Sequence, residues 1–110
     1  MSRVFRWFMI VAICIPFPVL ATDANIIRTE IIRQANFYGV SVNTALRIAE
    51  CESSFRADAK NKLSSAKGVY QFTDPTWQWI KADGHQFDYE ENIKQFMLIY
   101  PKHPSWWKCT

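Results

Sequence analysis

The sequence is short of the residues that most nucleotide, metal and nucleic-acid chemistries need. It has 3 Gly, and none forms a phosphate-cradling loop. It has 2 His, His85 and His103, far apart in the chain, and 3 Cys without a C-x-x-C pair, so no metal site is spelled out and no cofactor is expected. Lys and Arg number 13 against 10 Asp and Glu, a formal charge of +3 with no basic stripe, so no nucleic-acid partner is expected. With 5 Pro, 49% hydrophobic and 21% charged residues, the composition is neither disordered nor fibrous, and 110 residues are the length of one domain.

The longest apolar run comes first. Arg3 and Arg6 precede an apolar stretch from Trp7 to Ala21, broken by Pro16 and Pro18 and ending with small side chains at Val19 and Ala21. This is the pattern of a secretory signal peptide, residues 1–21, with cleavage after Ala21. The alternative is an uncleaved anchor. The run is shorter than the roughly 20 residues a spanning helix needs, so no permanent membrane anchor is expected. The expected location is the periplasm or the extracellular space. Cleavage removes Arg3, Arg6 and Cys14, which lowers the charge from +3 to +1 and leaves residues 22–110 as the domain. Only Cys51 and Cys109 remain, and in an exported domain with a small core they are expected to form a disulfide.

The remaining pattern is mainly helical. Asp23 caps a first helix whose apolar face is Ile26, Ile27, Ile31, Ile32, Ala35 and Tyr38, and Gly39 ends it. Ser41 or Asn43 caps a second helix, about Thr44 to Ser54. Residues Phe55 to Gly68 are polar and turn-rich and read as a loop or a short irregular hairpin. Thr73 or Asp74 starts a third helix with Pro75 in its first turn, running through Lys81 until Asp83-Gly84 breaks it. Asp88 or Tyr89 begins a last helix to about Tyr100, with Ile93, Phe96, Met97 and Tyr100 on one face. The tail, Ser105 to Cys109, can be pinned to the second helix through Cys51. No internal repeat, linker or low-complexity stretch is present.

The second helix holds the most informative local fact. At 100° per residue from Leu46, the residues Ala45, Ile48 and Ala49 fall between about 200° and 300°. Glu52 falls at about 240°, inside that stripe, whereas Glu50 and Arg47 fall at about 40° and 100°. A carboxyl group among apolar neighbours is costly to ionise, so it holds its proton toward neutral pH. A general acid for glycosidic cleavage needs that property. The competing fates for Glu52 are a buried ion pair or solvation at the helix end. Trp77, Trp79, Trp106 and Trp107 either stack on sugar rings or fill the core. Tyr70, Gln71 and Asn92 carry groups able to bind hydroxyl and acetamido groups.

Glu52-Ser53-Ser54-Phe55, then Ala66-Lys67-Gly68-Val69-Tyr70-Gln71-Phe72, Thr76-Trp77 and Glu91-Asn92-Ile93, resemble the SLT-type lytic transglycosylases. These are lysozyme-like enzymes that cut peptidoglycan, and the chain is most similar to their small, secreted, disulfide-bearing members. Cys51-Glu52-Ser53 followed by Gln71-Phe72-Thr73 and Thr76-Trp77 also resembles the resuscitation-promoting factor domain. The resemblance covers roughly Val40 to Ile93. It implies a single lysozyme-like helical domain, mainly α, with the polar loop or short hairpin beside the cleft.

The resemblance also implies roles for single residues. Glu52 is the catalytic acid and Ser53 its neighbour. Tyr70 and Gln71 line a cleft wall near the sugar, and Asn92 belongs to the binding set. The implied reaction cuts the β-1,4 bond between N-acetylmuramic acid and N-acetylglucosamine and leaves a 1,6-anhydro end. The family's later Tyr-Asn-x-Gly segment is absent, since Pro101 follows Tyr100, which implies a reduced site or dependence on a partner. Small enzymes of this kind serve secretion or conjugation machines, pili or phage entry. Two other readings stay open: a hydrolytic muramidase, with Asp58 or Asp74 as second acid, and a glycan-binding or assembly module of weak activity.

Overall fold

The computed structural model describes residues 22–109. The expected signal peptide, with Cys14, lies outside these residues. Among the described residues no helix is long and apolar enough to cross a membrane.

The first helix, α1, is Ala24–Tyr38. The Asp23 side chain accepts from the Asn25 N–H at 2.8 Å, which satisfies one of the donors left open at a helix start. At the far end Gly39 turns left-handed at φ 75°, and its N–H donates to the Ala35 carbonyl. Ile27, Ile31 and Ala35 are buried as expected. Ile26 and Ile32 are not: they are 49% and 39% exposed, and Gln34 is buried in their stead. The buried stripe of α1 is therefore narrower than its isoleucines suggest.

The second helix, α2, is Val42–Ser53, capped by Ser41, whose hydroxyl accepts from the Thr44 N–H. The third, α3, is Asp74–Trp79 with Pro75 in its first turn. It ends before the expected Lys81, which is left-handed at φ 56°. The fourth, α4, is Tyr89–Ile99, and a short 3₁₀ turn follows at Pro104–Trp106. α1 packs on both α2 and α4. The polar stretch after α2 is a loop folded back on itself by two isolated antiparallel bridges, Lys60 with Lys67 and Lys67 with Phe72.

One core joins all of this. Ile27 and Ile31 of α1 meet Ile48 and Ala49 of α2, Ile93, Phe96 and Met97 of α4, and Val69, Tyr70 and Phe72 of the returning loop. Tyr70 lies flat on Phe96, with ring centroids 3.7 Å apart and planes within 6°. Trp107 closes the same core from the tail, edge-on to Phe72 and Phe96. Cys51 and Cys109 are bonded, with Cα atoms 5.7 Å apart, so the tail is tied to the last turn of α2. The molecule is a mainly α, lysozyme-like single domain, as the sequence predicts.

Candidate active site

Four segments meet beside the C-terminal end of α2. They enclose a cavity of about 500 Å³ lined by Glu52, by Asn61 and Gln71 of the folded loop, by Thr73 and Thr76 at the start of α3, and by Ser105 to Lys108 of the tail. The lining is mixed: polar side chains alternate with an apolar part made of Ala66, Phe72 and two tryptophan rings.

Glu52 enters from the last turn of α2. It is half-buried, whereas Glu50 and Arg47 on the same helix are exposed, which is the asymmetry the helix angles predict. Among the described residues no cation pairs with Glu52 and no donor binds its carboxylate. Loss of solvent alone acts on it, and burial pushes its pKa up. The ion-pair fate is thus excluded among the described residues.

The chain directly after Glu52 is strained. Ser54 and Phe55 are left-handed at φ 54° and 61°, a costly state for an aromatic residue. The turn is held from both sides. The Phe55 ring is buried, with the Arg28 guanidinium 4.5 Å over it. The Ser53 hydroxyl donates to the Ala49 carbonyl at 3.1 Å and accepts from the Arg56 N–H at 3.4 Å. Ser53 therefore finishes the helix and does not line the cavity.

Gln71 does line it. Its backbone is left-handed at φ 56°, and its amide Nε2 donates to the Gly68 carbonyl at 2.9 Å and the Ala59 carbonyl at 3.2 Å. The amide oxygen is left to accept a hydrogen bond. Tyr70, its neighbour, has no exposure. Its hydroxyl donates to the Ala45 carbonyl at 2.8 Å, and burial drives its pKa upward. Asn92 is also fully buried. It accepts from the Tyr70 N–H at 2.9 Å and donates to the Gln86 carbonyl at 2.9 Å. Tyr70 and Asn92, expected in the sugar-binding set, turn their side-chain polar atoms inward. Their polar atoms are spent inside the protein, where they fix the segment that presents Gln71. Gly68 belongs to the same clamp. At φ 86° a Cβ there would collide with Asn92 Nδ2 and the Gln86 carbonyl.

Neither candidate second acid reaches the cavity. Asp58 is exposed and pairs with Arg56 at 3.6 Å. Asp74 binds Lys67 at 2.7 Å and Gln86 at 2.6 Å, and the Lys67 ammonium beside it holds its carboxyl below the usual range. Among the described residues lining this cavity, Glu52 is the single carboxylate. Asn61, Ser105 and Lys108 are not among the site residues expected from the sequence, and Thr73 enters there only as a helix cap and within the resemblance. The Cys51–Cys109 pairing was the signal that could have brought in Ser105 and Lys108, since it puts the tail beside Glu52.

A lone, partly desolvated carboxyl at a helix end, facing a cavity in a lysozyme-like helical domain, is an arrangement that suits a glycan-cleaving type of enzyme. The transglycosylase SLT domain matches residues 29–95, from within α1 to within α4. The chain belongs to this family, the SLT-type lytic transglycosylases, which act on peptidoglycan. The match contains Glu52, Ser53, Tyr70, Gln71 and Asn92 and leaves the tail outside. Among curated proteins and solved structures no significant match is found.

Proposed function

We propose that this protein is an exported peptidoglycan lytic transglycosylase in which Glu52 is the only acid–base group. Glu52, protonated, gives its proton to the glycosidic oxygen between N-acetylmuramic acid and N-acetylglucosamine. The C–O bond on the muramic side breaks as positive charge develops at the ring. The carboxylate so formed then takes the proton of the C6 hydroxyl of the same muramic residue. That oxygen closes on the anomeric carbon, giving a 1,6-anhydro ring and returning Glu52 to its protonated state. No water is consumed, so no second carboxylate is needed to activate one. Gln71 is the lining residue whose amide oxygen is available to a sugar hydroxyl or acetamido N–H.

The observation that carries the reading is the isolation of Glu52: half-buried, with no cation paired to it and no second carboxylate in its cavity among the described residues. A hydrolase of the two-carboxylate type would place another acid across the bond. Removal of residues 1–21 delivers the domain to the wall, in the periplasm or outside the cell. There it opens the wall locally for a secretion, conjugation, pilus or phage-related assembly.

Purified protein and Glu52→Gln, each incubated with peptidoglycan, test the chemistry by the mass of the released muropeptides. Anhydro ends are expected from the wild type and a loss of about 10²-fold or more from the variant. Reducing ends would make it a muramidase. Binding without release by either protein would make it a glycan-binding module. For export, the protein recovered from outside the cytoplasm is expected to begin at Thr22; a start at Met1 would refute cleavage.

A further inference from the structure

Four tryptophans lie in the second half of the chain, and burial accounts for two of them. Trp77 and Trp107 are 6% and 8% exposed, and their indole N–H groups donate to the Gly84 and Tyr70 carbonyls. Trp79 and Trp106 are different. They are 71% and 43% exposed, which leaves unrealised the gain that burying such rings brings. They are also neighbours, with ring centroids 6.3 Å apart and planes inclined at 52°.

Their position is not arbitrary. Trp106 lines the Glu52 cavity, as does Thr76. Trp79 is three residues after Thr76 on α3, which puts it on the same helix face one turn further on. The cavity runs from Glu52 to Thr76 and Trp106, and the exposed ring of Trp79 lies just outside it, against Trp106. Trp106 is held from behind by His103, stacked at 4.6 Å with planes within 14°. The tail that carries both is fixed to α2 by Cys51–Cys109. A ring fixed before the ligand arrives loses little freedom on binding.

We propose that Trp79 and Trp106 form a sugar-stacking subsite that holds a pyranose ring of the glycan strand beyond the position cut by Glu52. One face of a pyranose presents C–H bonds of slight positive charge, which suit the negative face of an indole. Two inclined rings make a shallow corner that takes one ring-shaped group, and the polar side chains of the cavity beside them meet the hydroxyl groups of the adjoining sugars. The subsite depends on the tail, which the family match does not include. It rests on the reading of the Glu52 cavity as a glycan cleft.

The test uses the full protein with Glu52→Gln as the non-cutting parent, and adds Trp79→Ala, Trp106→Ala or Trp79→Phe. Calorimetry measures the binding of N-acetylglucosamine oligomers of increasing length, and thermal melts check folding. Trp79→Ala and Trp106→Ala are expected to bind long oligomers about tenfold more weakly, a difference of ~1.4 kcal/mol, with disaccharide binding by Trp79→Ala as in the parent. Trp79→Phe keeps most of the affinity, because it keeps an aromatic face. Parent-like binding of long oligomers by both alanine variants overturns the subsite while wild-type cleavage leaves the Glu52 reading standing. So does an equal loss at every length by Trp79→Ala. If the wild type neither binds nor cuts glycan, the Glu52 reading falls first and the subsite with it.

Discussion

Asn92 shows how a residue can matter to a site without touching its ligand. Its two amide atoms bridge the Tyr70 N–H and the Gln86 carbonyl, both away from water. Replacing it with Ala leaves both groups unpaired, at a cost on the order of 2 kcal/mol. Asn92→Ala is therefore expected to lower the free energy of unfolding measured in urea by that amount, with activity lost only in step with folding. A variant of wild-type stability that fails to bind glycan would return Asn92 to the binding set. Glu52 is the opposite case. Its carboxylate makes no hydrogen bond or ion pair among the described residues, so Glu52→Gln is expected to fold normally and lose activity by about 10²–10⁴-fold. A variant that cuts peptidoglycan at the wild-type rate would remove Glu52 from the chemistry. The two residues differ in what their polar atoms meet, and that is invisible in their spacing along the chain.

At the scale of elements, the tail is the part that most changes how the site is understood. It follows α4, closes the core with Trp107 and gives the cavity a wall from Ser105 to Lys108. Its attachment is the bridge to Cys51, next to Glu52, across a sequence separation of 58. The chain-entropy estimate for a loop of that length is ~4 kcal/mol. Cys51→Ser with Cys109→Ser is expected to lose about that much stability and to lose glycan affinity as the wall loosens. Equal melting temperatures for the oxidised protein and the double variant would refute a structural role for the bridge. The elements were legible to different degrees. The helices and the outward turn of Glu50 against Glu52 follow from apolar spacing, which is a backbone property. The burial of Tyr70 beside the outward Gln71 does not, because the left-handed turn at Gln71 carries no glycine to announce it. The exposure of Ile26 and Ile32 was equally hidden, since a helix buries only the face its neighbours cover. The tail's wall depends on the 3₁₀ turn at Pro104–Trp106, for which two cysteines give the anchor but not the path.

For the molecule as a whole, acidic groups pull stability in two directions with pH. Arg33 holds Glu30 below the usual carboxylate range, and Lys67 does the same for Asp74. A lowered pKa means that the folded state binds fewer protons than the unfolded one, so these two contributions are present above the usual range and fade as pH falls through the lowered values. Glu52 has the reverse sign. Its raised pKa means that the folded state binds more protons, so its contribution is complete below the usual range and fades as pH rises through the raised value. Glutamine stays neutral throughout and mimics the protonated form. Glu52→Gln should therefore melt close to the wild type near about pH 4 and above it near about pH 8, while Glu30 and Asp74 shift both proteins alike. Activity should follow the same group. The first step needs the proton, so kcat/KM is expected to fall as pH rises past the raised value. Parallel melting curves for the two proteins across this range would mean that Glu52 is not desolvated on folding. The proton it is proposed to donate would then be gone at the pH where the wall is cut.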